Sequence, residues 1–563
     1  MCYTVCTYIK LKDKRGQITM FIGDKERINL SSSIFENFIN NGCLYIDKTA
    51  FIEHILQDSN NILLFTRPRR MGKSLNLDTL KTFLDFKADS QHLFSNLYIK
   101  QSPVFSAINS YPVIYLNLKD IDTSSLEGAL NSMRRKILTV IDSFFDLDNP
   151  PALLRKYCLD DSAIDMTVFT TVTACIAQKY QRKAFVLIDE YDKVTVDTAN
   201  SPDKASIHAR LVQLLSSLLK DNPNVERAVL TGVTRLSQDS LLSGLNNIAV
   251  YDIFTPSVYD DDFSLTHEEI SEILTHEQLS AVRAWYNNVQ VGHSALYNIY
   301  SVMSYLHYGI LKNYWTMSGT AKILGQLMTE KRLGEINQMI TANAFVIMAV
   351  SEKLIVNVFD DGGGYRCPDA MFYSLMIQSG YLSYKPSADT IPDLMNLEVC
   401  IPNFEARQAL ATIITQYVYR TDTPRLAEIF KLLPNTELFG KKLEEAVSMC
   451  LSYFDMDSEA PEKMYHVMFY GMMFMSGYTC TSNRESGMGR YDILARSDFN
   501  NMIFEFKAAD SNEQMPKLAN EAIDQINKEK YWHEVKDSTL PLYKIGIVCH
   551  GKMCLVKAVL HGN

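Results

Sequence analysis

Several things are missing from this 563-residue sequence, and each absence narrows what it can be. Its eleven cysteines form no CxxC pair and no metal-ligand spacing, so they read as reduced core thiols of a reducing compartment. No apolar run approaches the roughly 18 residues of a membrane-spanning helix, and no membrane partner is expected. The first sixteen residues scatter Lys10, Lys12, Lys14 and Arg15 among short apolar runs and lack the apolar stretch and small-residue cleavage site of a secretory signal. A cytoplasmic protein is therefore expected, although a nuclear or host-cell destination would look the same. Basic excess is missing too: the net charge is -10, and from residue 461 onward acidic and basic residues are equal in number. That argues against a broad basic surface, and any nucleic-acid contact must be local. No internal repeat or low-complexity tract stands out.

What is present is an ordinary globular composition, 47% hydrophobic and 21% charged, in a chain long enough for three or four domains. The apolar run Asn61 to Thr66 ends at a turn with Pro68 and Gly72 and is followed by Leu77, Leu80, Phe83 and Leu84 at helical spacing. That reads as strand, loop and a helix over 74–86. Further strand-like runs at Val113 to Leu118, Ala184 to Ile188 and Ala228 to Leu230 alternate with helix-length segments, which predicts a parallel α/β sheet. After about residue 260 the pattern turns helical, at Glu268 to Leu274 and Leu279 to Tyr286. A helix over Ala370 to Gln378, then strands at Tyr381 to Tyr384 and Leu397 to Ile401, suggests a winged-helix module beside a loop at Asp360 to Gly364. From about Phe439 a last α/β unit is expected. It has helices at Leu443 to Tyr453 and Glu462 to Phe474, strands at Arg490 to Ala495 and Met502 to Lys507, a helix at Ala519 to Lys530, and strands at Tyr543 to Cys549 and Met553 to Val559. The expected boundaries are an extension over 1–20, a nucleotide-binding domain over 21–260, a helical and winged-helix-like region over 261–438, and the last unit over 439–563.

The loop Arg67-Pro-Arg-Arg-Met-Gly-Lys-Ser74 lies between a strand and its helix, the setting a Walker A phosphate-binding loop requires. Gly72 allows backbone N–H groups to approach phosphate, Lys73 neutralises the β and γ phosphates, and Ser74 ligates Mg²⁺ at the helix N-terminus. Arg67 stands where the usual pattern has its first glycine. Arg67, Arg70, Gly72, Lys73 and Ser74 are the candidate nucleotide ligands in this loop. Phe185-Val-Leu-Ile-Asp-Glu-Tyr-Asp192 is an apolar strand delivering two adjacent carboxylates. Asp189 is placed to hold Mg²⁺ and Glu190 to orient or activate the attacking water. In Leu230-Thr-Gly-Val-Thr-Arg235, Thr231 or Thr234 could sense the γ-phosphate and Arg235 could report it. A strand-terminal turn with a surface arginine is the competing reading.

Near the C-terminus, Asp492 leads into one strand and Glu505 lies on the next, so that the two acids can meet at one sheet edge and bind Mg²⁺ through oxygen. Lys507 points to the same face as Glu505, because strand side chains repeat every two residues. Hydrolysing a phosphodiester needs a nucleophilic water and stabilised negative charge. A metal supplies both, and Lys507 stabilises charge or positions the water. Arg484 and Arg490, with Gly487 and Gly489 between them, form either a phosphate-contacting turn or a solvated hairpin.

Taken together, Tyr45-Ile-Asp-Lys-Thr49, Phe65 to Ser74, Leu187 to Asp192 and Ser243-Gly-Leu-Asn-Asn247 resemble AAA-ATPase-like proteins, of the broader STAND-like and archaeal-type P-loop ATPases, that carry a C-terminal PD-(D/E)XK nuclease domain. Trp285-Tyr286 and Tyr297-Asn298 are similar to the family as well, with Ile299 where a proline is usual. The resemblance implies a P-loop parallel sheet, a helical middle and a restriction-endonuclease-like C-terminal domain. It makes the missing glycine at Arg67 a family trait, and it places Asp47, Lys48 and Thr49 near the nucleotide. Tyr491 replaces the proline of the nuclease signature. Glu462 matches a further acid of such nucleases or is a solvated helix residue, Gln525 is similar to their active-site glutamine, and Tyr531 follows in the family's spacing. The function expected is binding and hydrolysis of ATP with Mg²⁺, joined to nuclease action with Mg²⁺ or Mn²⁺ on nucleic acid, DNA before RNA, under nucleotide control. A homo-oligomer is left open. The competing expectation is a non-enzymatic, ATP-controlled regulator that uses the nuclease fold as a binding platform.

Overall fold

The structure is a computed structural model that describes residues 9–12, 18–159, 167–198, 201–236, 247–315, 319–342, 345–354, 367–386, 391–414, 428–451, 469, 473, 478–482, 485–486, 489–497, 499–535, 538–550 and 553–562. The chain divides into two compact units, one of residues 1–316 and 347–397, the other of residues 317–346 and 398–563.

The first unit is organised by five parallel strands: β1 (Ile62–Thr66), β2 (Val113–Asn117), β3 (Ala184–Asp189), β4 (Val225–Gly232) and β5 (Ile248–Tyr251). They lie in the order β2-β3-β4-β1-β5. Every residue of β1 and β3 is buried, because apolar side chains leave both faces of a central parallel strand. Strand alternation divides the core. Leu64, Val186, Ile188 and Leu230 face α2 (Leu126–Phe144), α3 (Val168–Tyr180) and α4 (Lys204–Leu219). Leu63, Phe65, Leu187 and Val229 face Leu77, Leu80 and Phe83 of α1 (Lys73–Leu84). Since β4 lies between β1 and β3, the C-terminal ends of three strands open at one edge, with α1 starting there.

Around this sheet lie the strands Ile9–Lys12, Ile18–Ile22 and Tyr45–Ile46, the helices His276–Tyr286 and Ile299–Tyr308, and a hairpin of Val289–Val291 with Ser294–Leu296. Thr266 with Glu269 and Thr275 with Gln278 form capping boxes that start the helices after residue 265. The expected helix before the wing is found at Asp369–Gln378, with short strands at Ser383–Tyr384 and Leu397–Cys400. The loop Asp360 to Gly364 lies outside the described residues.

The second unit holds a mixed sheet of β6 (Thr479–Ser482), β7 (Ile493–Arg496), β8 (Asn501–Ala508), β9 (Leu542–His550) and β10 (Met553–Leu560), adjacent in that order. Only β8 and β9 pair in parallel, and α5 (Met515–Lys528) makes the crossover that such a pair requires. On β8, Ile503 packs with Ile523 and Ile526 of α5, whereas Phe504 and Phe506 turn to the opposite face against Phe469. The odd-numbered positions of β8 therefore face α5.

The sequence pattern reads the strands near residues 62, 113, 184, 502, 543 and 553 closely. It shortens β4, and it misses β5, a four-residue strand whose residues are only half-buried. The expected helix over Leu443 to Tyr453 is observed as Thr436–Leu451, and that over Glu462 to Phe474 lies outside the described residues apart from Phe469 and Met473. Among the described residues no helix is long and apolar enough to cross a membrane.

Candidate nucleotide-binding and nuclease sites

The loop after β1 is shaped by two left-handed residues, Arg70 (φ 65°) and Gly72 (φ 78°). Gly72 tolerates this conformation without strain and brings the chain into α1. Arg70 adopts it at a steric cost while its guanidinium stacks on Tyr300, 4.1 Å from the ring centre. Arg67 is not among the residues with positive φ, so its backbone does not require the glycine usual there. Its side chain is wholly buried: Nη1 donates to the carbonyls of Thr66 (2.9 Å) and Tyr251 (2.7 Å), and the guanidinium lies 5.1 Å from the Phe263 ring.

Lys73 is also buried, and its Nζ donates to the carbonyls of Arg67 (2.9 Å) and Pro68 (2.7 Å). Burial pulls its pKa down to about 8, against the opposing pull of Asp192, Asp189 and Glu190. Ser74 Oγ donates to Asp189 Oδ2 (2.7 Å), and Thr231 Oγ1 donates to Asp189 Oδ1 (2.7 Å). Three elements thus meet on one carboxylate: α1, β3 and the strand between β1 and β3. Glu190 occupies a left-handed conformation (φ 53°), and its N–H donates to Asp189 Oδ1 (3.0 Å). Burial first, then Asp189 and Asp192, push the Glu190 carboxyl up.

Asp192, quoted in the sequence pattern without a role, holds the end of β4. Its Oδ2 accepts from Thr234 N (2.7 Å), Thr234 Oγ1 (2.6 Å) and Val233 N (3.1 Å). Gly232 is required here, because a Cβ would lie 2.5 Å from the Tyr191 ring. Of the two threonines, Thr231 is joined to Asp189 and Thr234 to Asp192. Arg235 is no solvated surface residue: its Nη1 pairs with Asp252 and Glu352, each at 2.5 Å, and its N–H donates to Gln378 Oε1 (2.6 Å). Asp252, Glu352 and Gln378 lie too far along the chain for sequence to join them to this arginine. Asp47, Lys48 and Thr49 are buried in a hydrogen-bonded network. Lys48 Nζ pairs with Glu269 (2.6 Å) and the Asp261 carbonyl (2.8 Å), while Asp47 accepts from Thr49 Oγ1 (2.6 Å) and Tyr98 N (2.6 Å). Of the Ser243 to Asn247 motif, only Asn247 is described.

In the second unit β7 pairs with β8 as far as Ile493 with Phe504, and Asp492 lies just before the first paired residue of β7. Asp492 Oδ2 accepts from Phe506 N (2.8 Å), and burial raises its carboxyl above the ordinary range. Lys507 Nζ donates to Glu505 Oε1 (3.2 Å) and Gln525 Oε1 (2.6 Å), and Gln525 Nε2 donates to the Tyr531 hydroxyl (3.1 Å). Lysine, acid and amide meet on the β8 face that α5 covers. The approach of α5 depends on Gly546, opposite Glu505 on β9, where a Cβ would meet the Ala519 carbonyl at 2.9 Å. Tyr491, in the place of the usual proline, donates to Glu534 (2.9 Å), which also pairs with Arg496 (2.8 Å). Glu534 was not foreseen, being an unremarkable acid in sequence. Glu462 and Arg484 lie outside the described residues, and Arg490 is described only in its backbone, in a short hairpin with Glu485. The oxygen donors of the Asp492 and Glu505 carboxylates suit a hard divalent cation such as Mg²⁺ or Mn²⁺.

A parallel sheet with a phosphate-type loop after its first strand, and a mixed sheet gathering Asp, Glu, Lys and Gln, define a two-part class of chain. Residues 30–242 match the family described as predicted AAA-ATPase, and residues 460–559 match the PD-(D/E)XK nuclease superfamily. The chain thus carries an AAA-ATPase-like region followed by a PD-(D/E)XK nuclease-superfamily region. It is similar to an uncharacterized protein in the vnfD 5' region of Azotobacter chroococcum mcd 1, 25% identical over 521 residues that cover 89% of this chain and 92% of the relative. Solved structures with some likeness include the Aeropyrum pernix ORC2 protein in ADPNP-ADP complexes, at 9% identity over 77% of this chain and 85% of that one, with a TM-score of 0.21. Another is Drosophila ORC bound to AT-rich DNA and Cdc6, at 10% identity over 66% and 89%, with a TM-score of 0.15. Likeness of that degree carries nothing about function.

Proposed function

We propose that the protein binds and hydrolyses ATP with Mg²⁺ in its AAA-like domain, residues 21–260, and cleaves nucleic acid, DNA in preference to RNA, in its nuclease domain, residues 439–563. Residues 261–438 form the helical and winged-helix-like region between them, the nucleotide gates the cleavage, and the protein works in the cytoplasm. The observation that carries the nuclease reading is the convergence of Glu505, Lys507 and Gln525, with Asp492 accepting from the main-chain N–H of Phe506 beside Glu505.

In the nucleotide site, Lys73 exchanges its carbonyl partners for phosphate oxygens, and Ser74 and Asp189 hold Mg²⁺. Glu190, its proton affinity raised by burial, takes a proton from the attacking water. Thr231 and Thr234 bind the two acids of the β3 end and so register changes at the γ-phosphate. In the nuclease site, Asp492 and Glu505 hold Mg²⁺ or Mn²⁺. That metal supplies a nucleophilic water at neutral pH and charge stabilisation at the phosphate. Lys507 places its ammonium beside the scissile phosphate, and Gln525 fixes the direction of that ammonium.

Purified protein is incubated with single- and double-stranded DNA and RNA, with and without ATP and Mg²⁺. Cleavage by the parent and its loss in Lys507→Ala are expected. Cleavage by Lys507→Ala equal to the parent's overturns the assignment, and binding without cleavage under every condition favours the non-enzymatic regulator.

A further inference from the structure

The residue that departs most from a phosphate-binding loop is Arg67, which stands in place of the loop's first glycine. Its guanidinium does not face the site. It is fully buried, donating to the carbonyls of Thr66 at 2.9 Å, Tyr251 at 2.7 Å and Tyr259 at 3.4 Å, with the Phe263 ring beneath it. Tyr251 ends β5 and Tyr259 belongs to the following turn, so one side chain ties the start of the loop to two segments that are remote in sequence. Its main chain is fixed at both polar groups: Arg67 N–H donates to the Gly232 carbonyl of β4 (3.1 Å), and its own carbonyl receives Lys73 Nζ (2.9 Å).

A buried guanidinium needs nearby negative charge. Asp260, Asp252 and Asp262 supply it, in that order of influence. Asp252 is shared, since its Oδ2 pairs with Arg235, whose N–H and carbonyl meet Gln378 and Leu354. Two arginines therefore lean on one carboxylate.

We infer that Arg67 is a positioning residue for nucleotide binding: its buried guanidinium sets the path of the loop and the carbonyl on which Lys73 rests, so that the lysine meets the β and γ phosphates. This rests on the nucleotide-binding reading above. The role differs from that of a phosphate ligand, and it requires that restoring the usual glycine weakens the site. A glycine would remove every guanidinium bond, take the positive charge from among three acids and free the loop's first residue, whose backbone has no use for glycine's range.

The test is titration calorimetry of the full chain with ATP and with AMP in Mg²⁺, for the parent, Arg67→Gly, Arg67→Lys and Lys73→Ala, well below each variant's melting temperature. Arg67→Gly is expected to weaken ATP about ten-fold or more while weakening AMP much less, since Lys73 serves the outer phosphates. Arg67→Lys, which keeps the charge but not the fork of donors, recovers part of the loss. A purely structural Arg67 would lower the melting temperature and leave the ATP-to-AMP preference unchanged; that result overturns the proposal, as does Arg67→Gly binding ATP as tightly as the parent. Should Arg67→Gly not fold, Arg67→Lys decides: a reduced ATP-to-AMP preference supports the inference and an unchanged one overturns it. A parent that binds no ATP defeats the nucleotide reading and the inference together, whereas a binding parent with an unchanged preference in the variants defeats the inference alone.

Discussion

The two sheets arrange their acids in opposite ways. In the first unit Asp189, Glu190 and Asp192 come from one short stretch at the end of β3, and hydroxyls from α1 and β4 converge on it. In the second, Asp492 comes from the residue before β7 and Glu505 from the antiparallel neighbour β8, and the remaining polar groups come two residues along β8 and from the crossover helix. A parallel strand must deliver its site at its tip, because its flanks are buried by helices. An antiparallel pair with one covered face can build a site across its register. The first site is thus sensitive to loop and strand-end residues, the second to the packing of α5.

The largest effect expected is on the fold of the first unit. Lys48→Met leaves the Glu269 carboxylate buried without its cation and should cost about 3–5 kcal/mol in denaturant unfolding; a loss below about 1 kcal/mol would show the pair to be dispensable. Next comes a crossed pair. Lys73→Ala should lower ATP hydrolysis, and Lys507→Ala nucleic-acid cleavage, each by about 10²–10³-fold. Lys507→Ala should retain the parent's ATPase rate. If it lost that rate too, the contrast between two separately built sites would fail. Gly546→Ala pushes a methyl against the Ala519 carbonyl and should destabilise the second unit by roughly 1–3 kcal/mol, with cleavage falling as α5 moves off the Glu505 face. Unaltered melting and cleavage would show that neither the fold nor the site depends on this close approach of α5.

The smallest effect is one of pH. The folded Lys73 titrates near 8, below its ordinary 10.5, so between those values the unfolded chain binds the extra proton and stability gains as pH rises. The cost of the buried charge is fully present below about pH 8 and is relieved above it. The parent should show a contribution on the order of 1 kcal/mol per pH unit in that window that Lys73→Met lacks, read from denaturant melts without nucleotide. Parallel pH curves for the two proteins would remove the case for a buried, strained lysine.

The legibility of each part follows from chain distance. The strand-loop-helix of residues 61–84 is written in a single apolar run, a glycine and a helical stripe, so both its structure and its candidate ligands could be read in order. The Glu505 and Lys507 pair was legible from strand alternation alone. Asp492 required a pairing register, Gln525 a helix packed over the sheet, and Glu534 and Asp252 gave no signal at all, because an acid becomes informative only when its partner is near. β5 is a short apolar run, Ile248-Ala-Val-Tyr251, and four residues alone do not separate a strand from a turn of helix.

By itself the sequence determined the kinds of chemistry available: a lysine and serine opening a helix, acids ending an apolar strand, and an acid and lysine two apart on another, since each lies within the reach of one local element. Tertiary structure alone decided what those groups rest on. It turned Arg67 inward to Tyr251 and Tyr259, set Asp252 against Arg235, and closed Gln525 over Lys507. The partners of a buried charge are chosen by which segments pack around it, here from 17 residues away for Asp252 to 192 for Tyr259, and no local pattern spans either distance.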